Sequence, residues 1–175
     1  DVYKNVFQKS NGTLNELVGK FCNDLGISNT ENLNNFFIGK FSDNNINNTI
    51  SNDKITLIRD LKENGYKVIL FSNSCCLLNN DAIKEIYDLV DGVFYSYDIG
   101  YTKDDKESYQ YVEKTLNVKP TEILHIGDTL KSDYLKPVEN GWNALLYGVS
   151  DDESVNCISS LMELYDFFDI RTSKK

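Results

Sequence analysis

The sequence predicts an α/β protein with a doubly wound, mostly parallel sheet and a small helical insert near its start. Three observations carry this. From residue 55 onward, apolar runs of strand length alternate with segments of helical periodicity. The links between them are short, which calls for parallel strands joined by crossover helices. Residues able to do chemistry follow the strands instead of lying inside them, where ligands sit in such sheets.

Each element has its own justification. Residues 14–26 (LNELVGKFCNDLG) and 31–41 (ENLNNFFIGKF) show helical patterns and form the insert. Residues 42–53 (SDNNINNTISND) are polar and rich in asparagine, and read as a linker or loop. Residues 55–64 (ITLIRDLKEN) carry apolar side chains at helical spacing, and Gly65 stops them as a terminal glycine does. YKVILFSNS (66–74) is a continuous apolar run of strand length. Residues 80–90 are helical, with Asp81 as a first-turn acid. GVFYSYDIG (92–100) is aromatic and strand-like; 105–118 is helical. EILHIGD (122–128) is a strand, DYLKPVENG (133–141) a helix closed by Gly141, and WNALLYG (142–148) another strand.

A formal net charge of −9 over 175 residues opposes nucleic-acid binding, which needs a basic surface to replace counterions. No run approaches the roughly 18 apolar residues of a membrane span. The start, DVYKNVFQKS, has no basic stretch leading into an apolar one, so no secretion signal is read. It also opens on Asp1 rather than Met, so residues are expected upstream. Cys22, Cys75, Cys76 and Cys157 form no C-x-x-C pair, and His125 is the one histidine, too few for a usual zinc set. They read as free thiols in a reducing cytosol, a reactive Cys75 or Cys76 being the functional alternative. The expected partner is a small molecule.

Four places can carry chemistry. Asp128 and Asp133 flank a strand-to-helix turn, and a hard cation such as Mg²⁺ takes carboxylate oxygens. Capping explains Asp133 alone but not Asp128 after a glycine. Ser72 and Asn73 end KVILF, where a hydroxyl and backbone N–H groups can hold a phosphoryl oxygen; ordinary turn chemistry is the other reading. Lys103 follows the aromatic strand and can neutralise a phosphoryl group, though most loop lysines are solvated. Asp1, if a strand precedes it, lies at a strand end as well.

In this order, SN after a strand, GYTKDDKESYQYVEKTLNVKPTEILHIGD, and TLKSDYLKPVENGWNALLY, the chain resembles the haloacid dehalogenase-like (HAD) hydrolase superfamily over residues 55–148. The resemblance implies a Rossmann-like core at 1–7 and 53–175 and a small helical cap at 8–52. It maps the sheet-end hydroxyl onto Ser72, the lysine onto Lys103, and the acidic pair onto Asp128, after Gly127, and Asp133. DVYKNV looks like the nucleophile motif, with Asp1 as nucleophile and Tyr3 where an acid/base aspartate usually stands. A tyrosine, with a pKa near 10, cannot replace that aspartate at neutral pH. A second register sets KSNGTL (9–14) on the same motif, with Lys9 and Asn11 in place of both acids, and makes the chain catalytically dead. Asp1 is preferred because 14–26 reads as a cap helix.

The resemblance implies a Mg²⁺-dependent phosphatase acting on a small phosphate ester through an aspartyl-phosphate intermediate. Asp1, the Tyr3 carbonyl, Asp128 and Asp133 would serve the metal; Ser72, Asn73 and Lys103 would serve the phosphate. The alternatives are a 2-haloacid dehalogenase-type hydrolase and a degenerate HAD-like binding protein. His125 is given a structural place, and Tyr109, Tyr111, Trp142 and Tyr147 are read as packing residues.

Overall fold

The computed structural model describes residues 1–42, 50–78 and 84–170. The middle of the asparagine-rich linker and the start of the 80–90 helix, with Asp81, lie outside the described residues. Contacts divide the chain into two compact units, Asp1–Ile50 with Ile69–Thr102, and Ser51–Val68 with Lys103–Lys175. The division into a core and a cap at 8–52 stays a reading of the resemblance.

The first unit begins with a π-helix, Lys4–Gln8, followed by α1 (Leu14–Leu25) and α2 (Glu31–Ser42). Thr13 starts α1 with a capping box: its hydroxyl accepts the Glu16 N–H, and the Glu16 carboxylate accepts the Thr13 N–H at 2.8 Å. Apolar residues at helical spacing turn one face of α1 inward, where Leu17, Val18 and Cys22 pack with Val6, Phe7, Phe37 and Cys75. Phe7 is the hub, stacked on Phe37 at 4.8 Å and tilted against Tyr3, Phe21 and Phe41. Such ring pairs contribute about 0.5–1.5 kcal/mol each beyond burial. Strand β1 (Ile69–Ser72) pairs in parallel with β2 (Gly92–Tyr95), and α4 (Lys84–Tyr87) lies between them in the chain. The predicted strand 92–100 stops at Tyr95 and turns into a helix, α5 (Ser96–Ile99).

The second unit holds α3 (Asn52–Glu63) and α6 (Lys106–Leu116), then strand β3 (Leu124–Gly127). A π-helix, Leu130–Leu135, runs into α7 (Lys136–Glu139), where the sequence predicts one ordinary helix. It ends as expected at Gly141, whose φ of 85° suits a residue without Cβ. Strands β4 (Asn143–Tyr147) and β5 (Cys157–Ile158) complete a parallel sheet of order β3-β4-β5, and α8 (Leu164–Phe167) follows. Leu57 and Leu61 of α3 pack against Leu145, Ile158, Leu164 and Ile170. The class is therefore α/β with short parallel sheets, each β-pairing being parallel among the described residues.

The capping box makes a specific expectation. Thr13→Ala should cost about 1 kcal/mol of unfolding free energy, measured by urea denaturation, and Thr13→Ser should retain most of it.

Candidate active site

In the second unit, the turn after β3 gathers the predicted acids and the predicted lysine. Asp128 is exposed and takes a hydrogen bond from the Thr129 hydroxyl at 3.3 Å. Asp133 is buried, 6% exposed, and both its oxygens are engaged. Lys103, 7% exposed, donates to Oδ1 at 2.6 Å, and the Thr129 N–H donates to Oδ2 at 3.0 Å. His125 Nε2 lies 3.3 Å from the same Oδ1 and 3.3 Å from Lys103 Nζ.

Local structure explains how these groups meet. His125 points inward from the middle of β3, and Asp133 comes back over the strand end from the π-helical turn. Its own N–H bonds the Thr129 carbonyl at 2.8 Å. That return is close: a Cβ on Gly127 would stand 2.6 Å from Asp133 Cγ. Glycine is needed there for room. Lys103 is anchored through its backbone, since its carbonyl accepts the Tyr109 hydroxyl at 2.9 Å from α6. The Tyr109 ring meets Trp142 edge-on at 4.9 Å, Trp142 donates its indole N–H to Glu113, and His125 lies 6.2 Å from Trp142. Tyr109 and Trp142 pack as the sequence predicts, while Tyr111 and Tyr147 are exposed.

Charge follows geometry. Burial alone would raise the Asp133 pKa, but hydrogen bonds from His125 and Lys103, the Lys103 charge and the Thr129 N–H overcome it, so its carboxyl stays well below the usual range. Burial, aided by the Lys103 charge and opposed by Asp133, holds His125 below its ordinary value, so the imidazole is neutral at neutral pH.

In the first unit, Ser72 ends β1 opposite Tyr95, half-buried like Asn73. The loop after them is held by Ser96, fully buried: its hydroxyl accepts the Ser74 N–H at 3.0 Å and donates to the Ser74 carbonyl at 3.2 Å. Ser96 escaped the sequence reading, and the one trace of it is a small hydroxyl amid aromatic residues. Asp1, expected at a strand end if a strand precedes it, opens a helical turn. Its carbonyl accepts the Asn5 N–H at 3.1 Å and its carboxylate the Lys4 N–H at 3.4 Å. Burial raises the half-buried Tyr3 phenol above its ordinary pKa, so it remains protonated. In KSNGTL, Asn11 donates to Asp98 at 3.4 Å and Thr13 is the α1 cap. Burial lifts the Cys75 thiol to about 11, which leaves it inert, and the four cysteines are free.

Among the described residues, no three His, Cys, Asp or Glu side chains gather as a metal-holding group. The donor chemistry still suits a Mg²⁺ bound through one carboxylate and retained waters, with Asp128 outward and Asp133 fixed behind it. No helix of the described residues is long and apolar enough to cross a membrane.

The short parallel strands and the helices that follow them make a Rossmann-like α/β fold. The chain belongs to the haloacid dehalogenase-like hydrolase family, whose model matches residues 16–135. That match takes in Ser72, Asn73, Lys103, Asp128 and Asp133 and begins after Asp1 and Tyr3. No curated protein matches the chain. Among solved structures, it is similar to a HAD phosphatase from Thermococcus onnurineus, with 18% identity, coverage of 90% of this chain and 89% of that one, and a TM-score of 0.63. It is also similar to a HAD family enzyme from Bacteroides thetaiotaomicron in complex with magnesium and inorganic phosphate, with 19% identity, coverage of 84% and 75%, and a TM-score of 0.57. A dehalogenase is similar at 19% identity, 87% and 70% coverage, and a TM-score of 0.59. At these identities the likeness shows the fold.

Two expectations follow. Gly127→Ala forces Asp133 aside and should lower stability by about 1–3 kcal/mol in thermal unfolding, whereas Gly19→Ala, with open space around its Cβ, should be neutral or gain up to about 1 kcal/mol. The Asp133 carboxyl is depressed in the folded state, so its contribution is full above the unfolded value of about 3.9 and fades as pH falls below it. The difference in urea midpoint between the parent and Asp133→Asn should therefore narrow below about pH 4.

Proposed function

We propose that this hydrolase is a Mg²⁺-dependent phosphatase of small phosphate esters, working in a reducing cytosol. The observation that supports it best is the exposed Asp128 carboxylate at the end of β3 with Asp133 held ionised behind it by Lys103. Asp128 would hold the ion and Asp133 would orient the turn beneath it; the resemblance adds Asp1 and the Tyr3 carbonyl. Mg²⁺ supplies charge neutralisation at the phosphoryl oxygens.

The chain's own groups would act as follows. The Asp1 carboxylate attacks phosphorus, the ester oxygen departs with the bonding pair, and water then cleaves the aspartyl phosphate to release phosphate and restore Asp1. By the resemblance, Ser72 and the Asn73 N–H would hold non-bridging oxygens and Lys103 would offset their charge. With Tyr3 in the acid/base position, no aspartic acid protonates the departing oxygen, which favours esters with good leaving groups. No carboxylate takes the proton of the attacking water, which passes to the released phosphate, so the second step would be slow. The same tyrosine favours one other reading, a 2-haloacid dehalogenase, because a departing halide needs no proton.

The test is hydrolysis of p-nitrophenyl phosphate with and without Mg²⁺. Metal-dependent turnover that Asp1→Asn lowers by roughly 10³-fold or more, and that Asp128→Asn strips of its Mg²⁺ dependence, is the expected result. Halide release from a 2-chloro acid without metal would move the assignment to the dehalogenase. Neither activity, with no Mg²⁺-linked rise in Tm, leaves a binding protein.

A further inference from the structure

The middle of LHIGD holds a side chain to which the mechanism above gives no part. His125 is 8% exposed, and its Nε2 reaches both Asp133 Oδ1 and Lys103 Nζ at 3.3 Å. A neutral imidazole nitrogen donates or accepts, and does not do both. The Lys103 ammonium already donates to Asp133 Oδ1 at 2.6 Å. In the Nε2–H tautomer, the one this proposal takes, Nε2 donates to Oδ1 and two donors converge on one carboxylate oxygen. The opposite oxygen of the same carboxylate accepts the Thr129 N–H, and Thr129 follows Asp128 directly. A planar carboxylate clamped at Oδ1 from two directions cannot rotate, and its Oδ2 then fixes the backbone that carries Asp128.

We propose that His125 is a positioning residue: by holding Asp133 Oδ1 together with Lys103, it sets the Thr129 backbone and thereby the placement of the Asp128 carboxylate. A core-filling histidine would need only its ring against Trp142. The placement of Nε2 on both members of a buried ion pair exceeds what packing requires. The metal arm of the proposal rests on the Mg²⁺ reading of Asp128; the backbone arm does not.

His125→Phe keeps a ring beside Trp142 and removes the nitrogen, whereas His125→Gln keeps a donor of comparable reach. Amide hydrogen exchange at Thr129, measured without metal, should speed up in His125→Phe by at least roughly tenfold relative to the β3 amides and return towards the parent rate in His125→Gln. Titrated with MgCl₂ alone, His125→Phe should need roughly 10–100-fold more Mg²⁺ for the same rise in Tm, again with partial recovery in His125→Gln. In turnover of p-nitrophenyl phosphate, the requirement for Mg²⁺ should rise more than the KM for the ester. Thr129 exchange that is unchanged in a folded His125→Phe overturns the proposal, whatever the metal does. If the parent shows no Mg²⁺-linked shift while Thr129 still loses protection, the positioning role stands and the magnesium reading falls. Should His125→Phe fail to fold, His125→Gln at parental exchange and His125→Leu at raised exchange give the same answer, and equal protection in both overturns it.

Discussion

A carboxylate with two filled oxygens in a dry place constrains everything around it, and Asp133 is that carboxylate here. Removing one partner of such a buried pair costs about 3–5 kcal/mol, whereas the intact pair adds little net stability over an apolar filling. The value of the arrangement is orientation rather than strength. Its demands propagate outward. Gly127 must lack a side chain, Lys103 must be pinned through its carbonyl by Tyr109, and Trp142 must wall the histidine side. The π-helical turn fits the same demand: the Lys136 N–H bonds back to Lys131, one residue further than an α-helix allows. The wider turn accompanies the return of Asp133 over the strand end.

The first unit solves a similar problem with neutral groups. Ser96 satisfies a backbone N–H and a carbonyl of the loop after β1 with one hydroxyl, so the loop is fixed without a buried charge. Its core depends on rings rather than ions, with Phe7 touching four other aromatic residues. Cys75 belongs to that core, which is why its thiol is kept from ionising.

Much of this was legible. The strands ending at Ser72 and Gly127 and the helices opening at Leu14 and Lys106 follow from apolar runs and periodicity, which are local properties. Asp128 and Asp133 were legible as a pair because they flank one strand-to-helix turn, and Lys103 was joined to them by the resemblance; the contact of Lys103 with Asp133 is what the structure adds. What escaped is what depends on distant partners. The parts played by Ser96 and His125 depend on residues 22 positions away, Ser74 and Lys103, and nothing in SYDIG or LHIG advertises them. The turn of 92–100 from strand to helix was hidden by its aromatic content, which favours strands wherever tertiary contacts leave the choice open. A π-turn and an α-turn share nearly the same apolar pattern, so 133–141 could be placed but not told apart. Asp1 was set by analogy with a motif, and the acceptance of the Lys4 N–H by its carboxylate is a local contact that the motif does not encode.

The acid–lysine–histidine network also has a kinetic side. Its most separated contact, Lys103 to Asp133, closes a loop of 30 residues, and Trp142 extends the group to a stretch of about forty. The hydroxyl of Tyr165 on Asp60, in the same unit, spans 105. Loop closure grows costlier with chain separation, and folding slows as contacts become less local. The network around Asp133 is thus written in nearly contiguous sequence, and its closure costs less chain entropy than the contact that ties α3 to the C-terminal segment.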